Sequence, residues 1–254
     1  MAHSSSQART PAAEHFDYRV VDGTDRLQDS YALRYQVYCE EKGFLPPENY
    51  PDGLETDPYD DVSVHVAAFD KEGGMAGTVR LVCWSDMGFP MFDHCDLFPD
   101  YEYLRNRTDF SLHFYAELSR LAVATEFRRR VGDGLYGLSA RKGRARTETP
   151  RRRPGETVIG LYKTMYQASK RRGITHWLAA MEQTLWKALN RFKFTFEPIG
   201  PVADYYGRVT PYLAVIADIE RKVYRENRAL FLEFPKGLEP ELGPEFDEED
   251  SPTH

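Results

Sequence analysis

Apolar and polar positions along this 254-residue chain follow two rhythms. VSVHVAAFD and MAGTVRLVCW are short apolar runs joined by KEGG, which predicts two strands in a hairpin. FYAELSRLAV, HWLAAM and YLAVIADI read as further strands, the first of them apolar and small enough to be buried. VIGLYKTMYQASKRRG instead sets Val158, Leu161, Tyr162, Met165 and Ser169 by threes and fours with Gly173 as its stop, which predicts a helix. Glu182 to Arg191 predicts a shorter one. Near the start, Phe16 to Val21 reads as a short strand, and Leu27, Tyr31, Arg34 and Tyr38 predict a helix that Gly43 ends. Leu45 to Pro58 and FPMFDHCDLFPD have no period; such stretches wrap the surface or line a cleft. Strands dominate the first half and alternate with helices in the second, an order that fits an α+β sheet packed by helices and not a uniform βαβ array.

Charges interrupt these patterns at particular places. Glu117 and Arg120 both stand in ELSRLAV, inside the core-like strand, although unpaired charges are costly to bury. They lie three apart, so regular pleating sends them to opposite faces of the sheet. Arg80 ends GTVR within another apolar strand, Asp57 and Asp60 stand in DPYD just before a strand, and Arg34 sits on the first helix. Three arginines and three carboxylates at such positions predict a buried or half-buried ionic network. It is either structural pairing or a functional site, where such networks are kept although they add little net stability.

Composition narrows the picture further. A hydrophobic content of 41% at this length supports one sizeable core, and no composition shift divides the chain. The longest apolar runs are too short to cross a bilayer, and MAHSSSQARTPAAEH lacks the apolar stretch of a secretory signal, so the expected location is cytoplasmic. Cys39, Cys83 and Cys95 are widely spaced and form no C-x-x-C pair, which suggests reduced structural thiols and neither a disulfide framework nor a metal site. The net charge of -7 argues against a general nucleic-acid binder. That charge is unevenly spread: Arg128 to Arg153 holds ten Arg or Lys against Asp133 and Glu148. Arg128, Arg129, Arg130, Arg151, Arg152 and Arg153 thus predict a surface attractive to an acidic partner. The expected organisation is a disordered segment 1–15, a single domain 16–236 with a basic insertion at about 128–155, and an acidic disordered tail 237–254.

In order along the chain, Arg34, Tyr38 and Phe44 (R-x-x-x-Y-x-x-x-x-x-F), D-x-x-D, G-T-x-R and E-x-S-R resemble the acyl-homoserine-lactone synthases and their relatives, the N-acyl amino acid synthases. THWLAAMEQTLWKALNRFKF and IGPVADYYGRVTPYL are more similar to the N-acyl amino acid synthase branch, especially the acyltransferases associated with PEP-CTERM/exosortase sorting systems. The resemblance spans roughly Tyr18 to Ile219, and it departs from lactone synthases where Tyr38 and Phe44 replace their usual Phe and Trp. It implies a GNAT-like fold, with a mixed, mostly antiparallel sheet and a bulge in the fourth strand. Such a bulge breaks the two-residue alternation and brings Glu117 and Arg120 towards one cleft.

The implied activity is transfer of a fatty acyl group from a thioester to the amino group of an amino acid or similar small amine. No permanently bound cofactor is implied. The donor is the phosphopantetheine thioester of acyl carrier protein, or acyl-CoA, and the acidic carrier protein matches the basic segment. Glu117 is the implied general base, since an amine attacks only when neutral. Arg34, Asp57, Asp60, Arg80 and Arg120 hold the site together, or one of the arginines binds a substrate carboxylate. Met181, Glu182 and Trp186 lie on the strand and helix that wall the acyl pocket in the relatives. RRVGDG also matches the spacing of a pyrophosphate-binding loop, although Asp133 adds a negative charge inside it. Two rival readings stand beside this one: an autoinducer synthase that makes an acyl-homoserine lactone from S-adenosylmethionine, and a non-catalytic module that binds lipid or acyl carrier protein.

Overall fold

The structure, a computed structural model, describes residues 16–106, 110–128 and 155–244. The segment expected to be disordered at 1–15, most of the basic insertion and the last ten residues of the acidic tail lie outside the described residues. The elements run β1 (Asp17–Val20), α1 (Leu27–Tyr35), β2 (Ser63–Phe69), β3 (Met75–Cys83), α2 (Met91–His94), α3 (Tyr103–Asn106), β4 (Tyr115–Val123) and α4 (Glu156–Arg171). They continue with β5 (His176–Met181), α5 (Gln183–Arg191), β6 (Glu197–Pro198), β7 (Ala203–Asp204), β8 (Arg208–Val215), α6 (Ile216–Glu226) and α7 (Arg228–Glu233). The strands pair in the order β1-β2-β3-β4-β5-β8-β6, with β7 on β8. Every pairing is antiparallel except β4 with β5. This is the mixed, mostly antiparallel α+β sheet expected.

The central strands read as continuous apolar runs because both of their faces are covered. On one face Val64, Val66, Val79, Leu81, Leu118 and Leu121 pack against α4 through Val158, Leu161, Tyr162 and Met165. Ala67 and Ala122, on the other face, meet the first helix. Beyond Tyr35 that helix widens into a π-helical turn, Gln36–Glu41, which buries Val37, Tyr38 and Cys39. Gly43 follows it at φ +60°, the left-handed conformation that stops a helix at little cost.

Two expectations are corrected. YLAVIADI is not one strand: β8 ends at Val215 and Ile216 opens α6. The buried Ile216, Ile219, Glu220 and Val223 repeat at three and four, so the apolar run crosses from strand period to helix period without a break in hydrophobicity. The tail is not disordered from Gly237. Leu238 packs on the main core, and Arg171 donates to the Gly237 carbonyl at 2.6 Å and pairs with Glu239 at 3.1 Å. Helix α7 and the two-residue strands β6 and β7 were not expected; elements that short carry too few residues for a period to register. Among the described residues no helix is long and apolar enough to cross a membrane.

Candidate active site

The opening of the site is set by β4. Thr78 pairs with Ala122 and Arg80 with Ser119, so two steps on β3 are matched by three on β4. The extra residue is a β-bulge, and Arg120 occupies it at φ +53°. Leu118 and Leu121 consequently both face α4, while Glu117 and Arg120 share the opposite side. On its other edge β4 pairs in parallel with β5 only from Tyr115↔His176 to Glu117↔Leu178. Both strands continue, to Val123 and Met181, without further pairing between them. The sheet therefore splays immediately beyond Glu117.

The irregular stretch before β2 folds under this face. In DPYD, Pro58 opens a 3₁₀ turn whose ends are tied by its own acids: Asp57 accepts from the Tyr59 N–H at 2.9 Å and Asp60 from the Asp57 N–H at 2.8 Å. The same carboxylates hold the arginines. Asp60 accepts from Arg34 Nη1 and Nη2 at 2.6 and 3.1 Å, a bidentate pair, and from Arg80 Nη1 at 2.8 Å. Asp57 accepts from Arg80 at 2.6 Å and from Arg120 Nη2 at 3.0 Å. Glu55, fully buried, joins Arg34 Nε at 2.5 Å to Arg120 Nε at 3.1 Å. Burial by itself raises a carboxyl pKa; the Asp60 hydrogen bond from His65 and the nearby Arg34 and Arg80 overcome it and hold Asp60 far below the carboxylate range. Asp57 is lowered, against the same burial, chiefly by Arg80.

Glu117 differs from these acids. It is 1% exposed and accepts from the Met91 N–H at 2.8 Å, with Arg80 and Arg120 near but not bonded to it. Desolvation outweighs these favourable contacts and pushes its pKa up to about 7. One Arg80 donor, Nη2, is buried and meets no protein acceptor, while Nε reaches Ser119 Oγ at 3.1 Å.

Aromatic rings close the side. The Tyr38 hydroxyl donates to the Leu121 carbonyl at 3.2 Å, and burial raises its pKa to about 12. The Arg120 guanidinium lies 5.7 Å from the centroid of the Tyr38 ring and 4.7 Å from that of Tyr206. Tyr206 is itself at φ +52°, so two strained residues rest on each other. Tyr205 stacks on His94 at 4.2 Å, and Phe44 lies beside Tyr38 with ring centroids 6.2 Å apart.

Arg34, Tyr38, Phe44, Asp57, Asp60, Arg80, Glu117 and Arg120 thus come together around one face of β4. Glu182 lies at the edge, just before α5: a Cβ on Gly207 would sit 3.9 Å from its Oε1 and 3.2 Å from Phe44. Met181 and Trp186 fall elsewhere, in the apolar layer on the α4 side, where Trp186 stacks on Tyr212 and donates to the Phe196 carbonyl. Arg128, expected on a partner-facing surface, is bound into the fold through Glu41 at 2.6 Å and the Val123 carbonyl. Arg129, Arg130, Arg151, Arg152, Arg153 and the RRVGDG loop lie outside the described residues.

Sequence reasoning missed Glu55, His65 and Asp22. Glu55 stands two residues before Asp57 in an irregular polar stretch, where an acid reads as solvated. The alternate spacing of Glu55 and Asp57 was the one available signal. His65 reads as a lone histidine in an apolar strand.

A family model for the acetyltransferase (GNAT) domain matches residues 33–136. No curated protein matches the sequence. Solved structures that share the fold at low identity include the following three. BjaI, a CoA-dependent acyl-homoserine lactone synthase solved with MTA, is 20% identical with a TM-score of 0.55, covering 91% of this chain and 96% of its own. TofI, in a ternary complex with an inhibitor and MTA, is 17% identical with a TM-score of 0.55, covering 90% and 99%. FeeM, an N-acyl amino acid synthase from uncultured soil microbes, is 12% identical with a TM-score of 0.54, covering 82% and 94%. The chain therefore shares its fold with structures that include an acyl-homoserine lactone synthase and an N-acyl amino acid synthase.

Proposed function

We propose that this protein is an N-acyltransferase that moves a fatty acyl group from a thioester to the amino group of an amino acid or similar small amine. The observation that carries the reading is Glu117: a buried carboxyl with a pKa of about 7, bonded to no cation, at the point where β4 and β5 part. An amine must lose a proton to attack a thioester, and a base that titrates near neutral pH is matched to that task. The splayed strands offer backbone groups to an extended thioester arm on one side. On the other, the arginine-carboxylate network fixes Arg120 and Arg80 rigidly beside Glu117.

In the proposed reaction the acceptor nitrogen attacks the thioester carbonyl carbon, and its proton passes to Glu117. Negative charge develops on the carbonyl oxygen and is stabilised by N–H groups at the bulge. The C–S bond then breaks, and the thiolate leaves without a protein nucleophile. Arg80 Nη2, a buried donor with no protein acceptor, is available to an acceptor carboxylate, which favours an amino acid as the amine. BjaI and FeeM, similar in fold, are named for acylated amine products, and this supports the same reaction class. The carrier protein as donor rests on the basic segment, and the exosortase setting on the resemblance of the second half.

The test is mass spectrometry of small products after the purified chain is mixed with long-chain acyl carrier protein or acyl-CoA, an amino-acid pool and S-adenosylmethionine. An N-acyl amino acid made by the wild type and lost in Glu117→Gln supports the proposal. An acyl-homoserine lactone replaces it with the synthase reading. Carrier binding without any product replaces it with the binding module.

A further inference from the structure

His65 lies on β2 outside the roles assigned so far, and its surroundings are unusual. Its side chain is 1% exposed, yet both ring nitrogens face carboxylates: Nδ1 stands 2.7 Å from Asp22 Oδ1 and Nε2 stands 3.0 Å from Asp60 Oδ1. A neutral imidazole has one N–H and one lone pair, so in either tautomer a lone pair would point at a carboxylate oxygen. Only the doubly protonated ring donates to both. Charge balance agrees. Arg34, Arg80 and Arg120 pair with Glu55, Asp57 and Asp60, and the fourth carboxylate, Asp22, pairs with His65.

We propose that His65 and Asp22 form a positioning pair in which a cationic imidazole, anchored by Asp22, holds Asp60 and through it Arg34 and Arg80. The link is geometric. Asp60 Oδ1 receives His65 Nε2, Arg34 Nη1 and Arg80 Nη1 together, so the orientation of this one carboxylate sets both guanidiniums. Asp22, one-third exposed in the turn that follows β1, also accepts from the His65 backbone N–H at 2.9 Å and connects the buried network to solvent.

The groups facing the ring do not all favour the cation. Arg80 lies opposite His65 in the β2–β3 register, Arg34 shares Asp60, and Tyr31 of α1 presents its ring edge-on at 5.6 Å. Burial also lowers the imidazole pKa, but the hydrogen bonds to Asp22 and Asp60 outweigh it and the net direction is upward. As pH rises through that raised value the proton is lost, one carboxylate meets a lone pair, and the grip on Asp60 loosens.

The proton count does not depend on the acyltransferase reading; the effect on rate does. Long-range ¹H–¹⁵N NMR of the full chain with ¹⁵N-labelled histidine reads the two ring nitrogens directly as pH is raised from neutral. The expected result is a doubly protonated ring at neutral pH, with a midpoint that Asp22→Asn lowers by about one pH unit or more. A single-N–H tautomer at neutral pH, or a midpoint that Asp22→Asn leaves in place, overturns the proposal. In acyl-transfer assays, the alkaline fall of kcat/KM is expected to move down with the NMR midpoint in Asp22→Asn while thermal unfolding shows the fold retained. Transfer with an unmoved profile overturns the positioning role. Absence of transfer by the wild type, with the cation seen by NMR, overturns the proposed reaction and leaves the pair as an anchor of Asp60.

Discussion

Glu117 and Glu55 are both buried glutamates within one site, and their surroundings set them apart. Glu55 touches two guanidiniums, so Glu55→Gln leaves Arg34 and Arg120 short of a countercharge. We expect a loss of about 3–5 kcal/mol in urea unfolding, as for other broken buried pairs. Glu117 accepts only an N–H, with charges near but not bonded to it, and burial dominates it. If it is the base, kcat/KM rises through about pH 7 as the carboxyl ionises, and Glu117→Gln lowers kcat by about 10²–10⁴ with the acid limb gone. A wild-type profile that is flat there removes Glu117 from the base role. Glu117 was legible in the sequence because a charge in an apolar strand is conspicuous. Glu55 was not, because nothing in a polar loop announces which acid turns inward.

Between single residues and the whole sheet lies the loop before β4, which carries the Met91 N–H to Glu117. It is seated on the far end of the sheet: the Phe98 N–H donates to the Ile199 carbonyl at 2.8 Å. The next residue, Gly200, passes so close that a Cβ there would lie 2.1 Å from the Asp96 carbonyl oxygen. Backbone cannot swing aside as a side chain does, so Gly200→Ala must displace the loop. It is expected to cost about 1–3 kcal/mol in denaturant unfolding and to reduce acyl transfer through Glu117. At this scale, periods in the sequence found α1, α4, α5 and the five longer strands. They failed at β8–α6, where one apolar run serves both a strand and a helix, and at elements too short to show a period. The bulge at Arg120 entered as an implication of family resemblance, and its visible trace was the three-residue spacing of Glu117 and Arg120.

The site's charges also govern the molecule's stability against pH, and the signs oppose. Asp57 and Asp60 are lowered in the fold, so the stability they add is present above their unfolded values and is lost as pH falls through the lowered ones. Glu117 and His65 are raised, so theirs is present below the unfolded values and is lost as pH rises through the raised ones. Urea midpoints are expected to peak between these limbs. From about pH 4.5 up to about pH 7 the wild type should lose about 3 kcal/mol relative to Glu117→Gln, the equivalent of moving one carboxyl from 4.5 to about 7, with no further change at higher pH. A constant difference between the two proteins across that range would contradict the raised pKa. If an acyl carrier protein is the donor, replacing Arg151, Arg152 and Arg153 with Ser should slow its association and flatten the salt dependence, with surface plasmon resonance as the measure.

The sequence by itself determined the α+β order and most of the members of the ionic site, because those follow from local periodicity and from charges placed where apolar residues belong. Only the tertiary structure decided which acid bridges which arginine and that Glu55 and His65 belong with them. Those outcomes depend on contacts across tens of residues of chain, between a loop without a period and a bulged strand, and no local pattern encodes them.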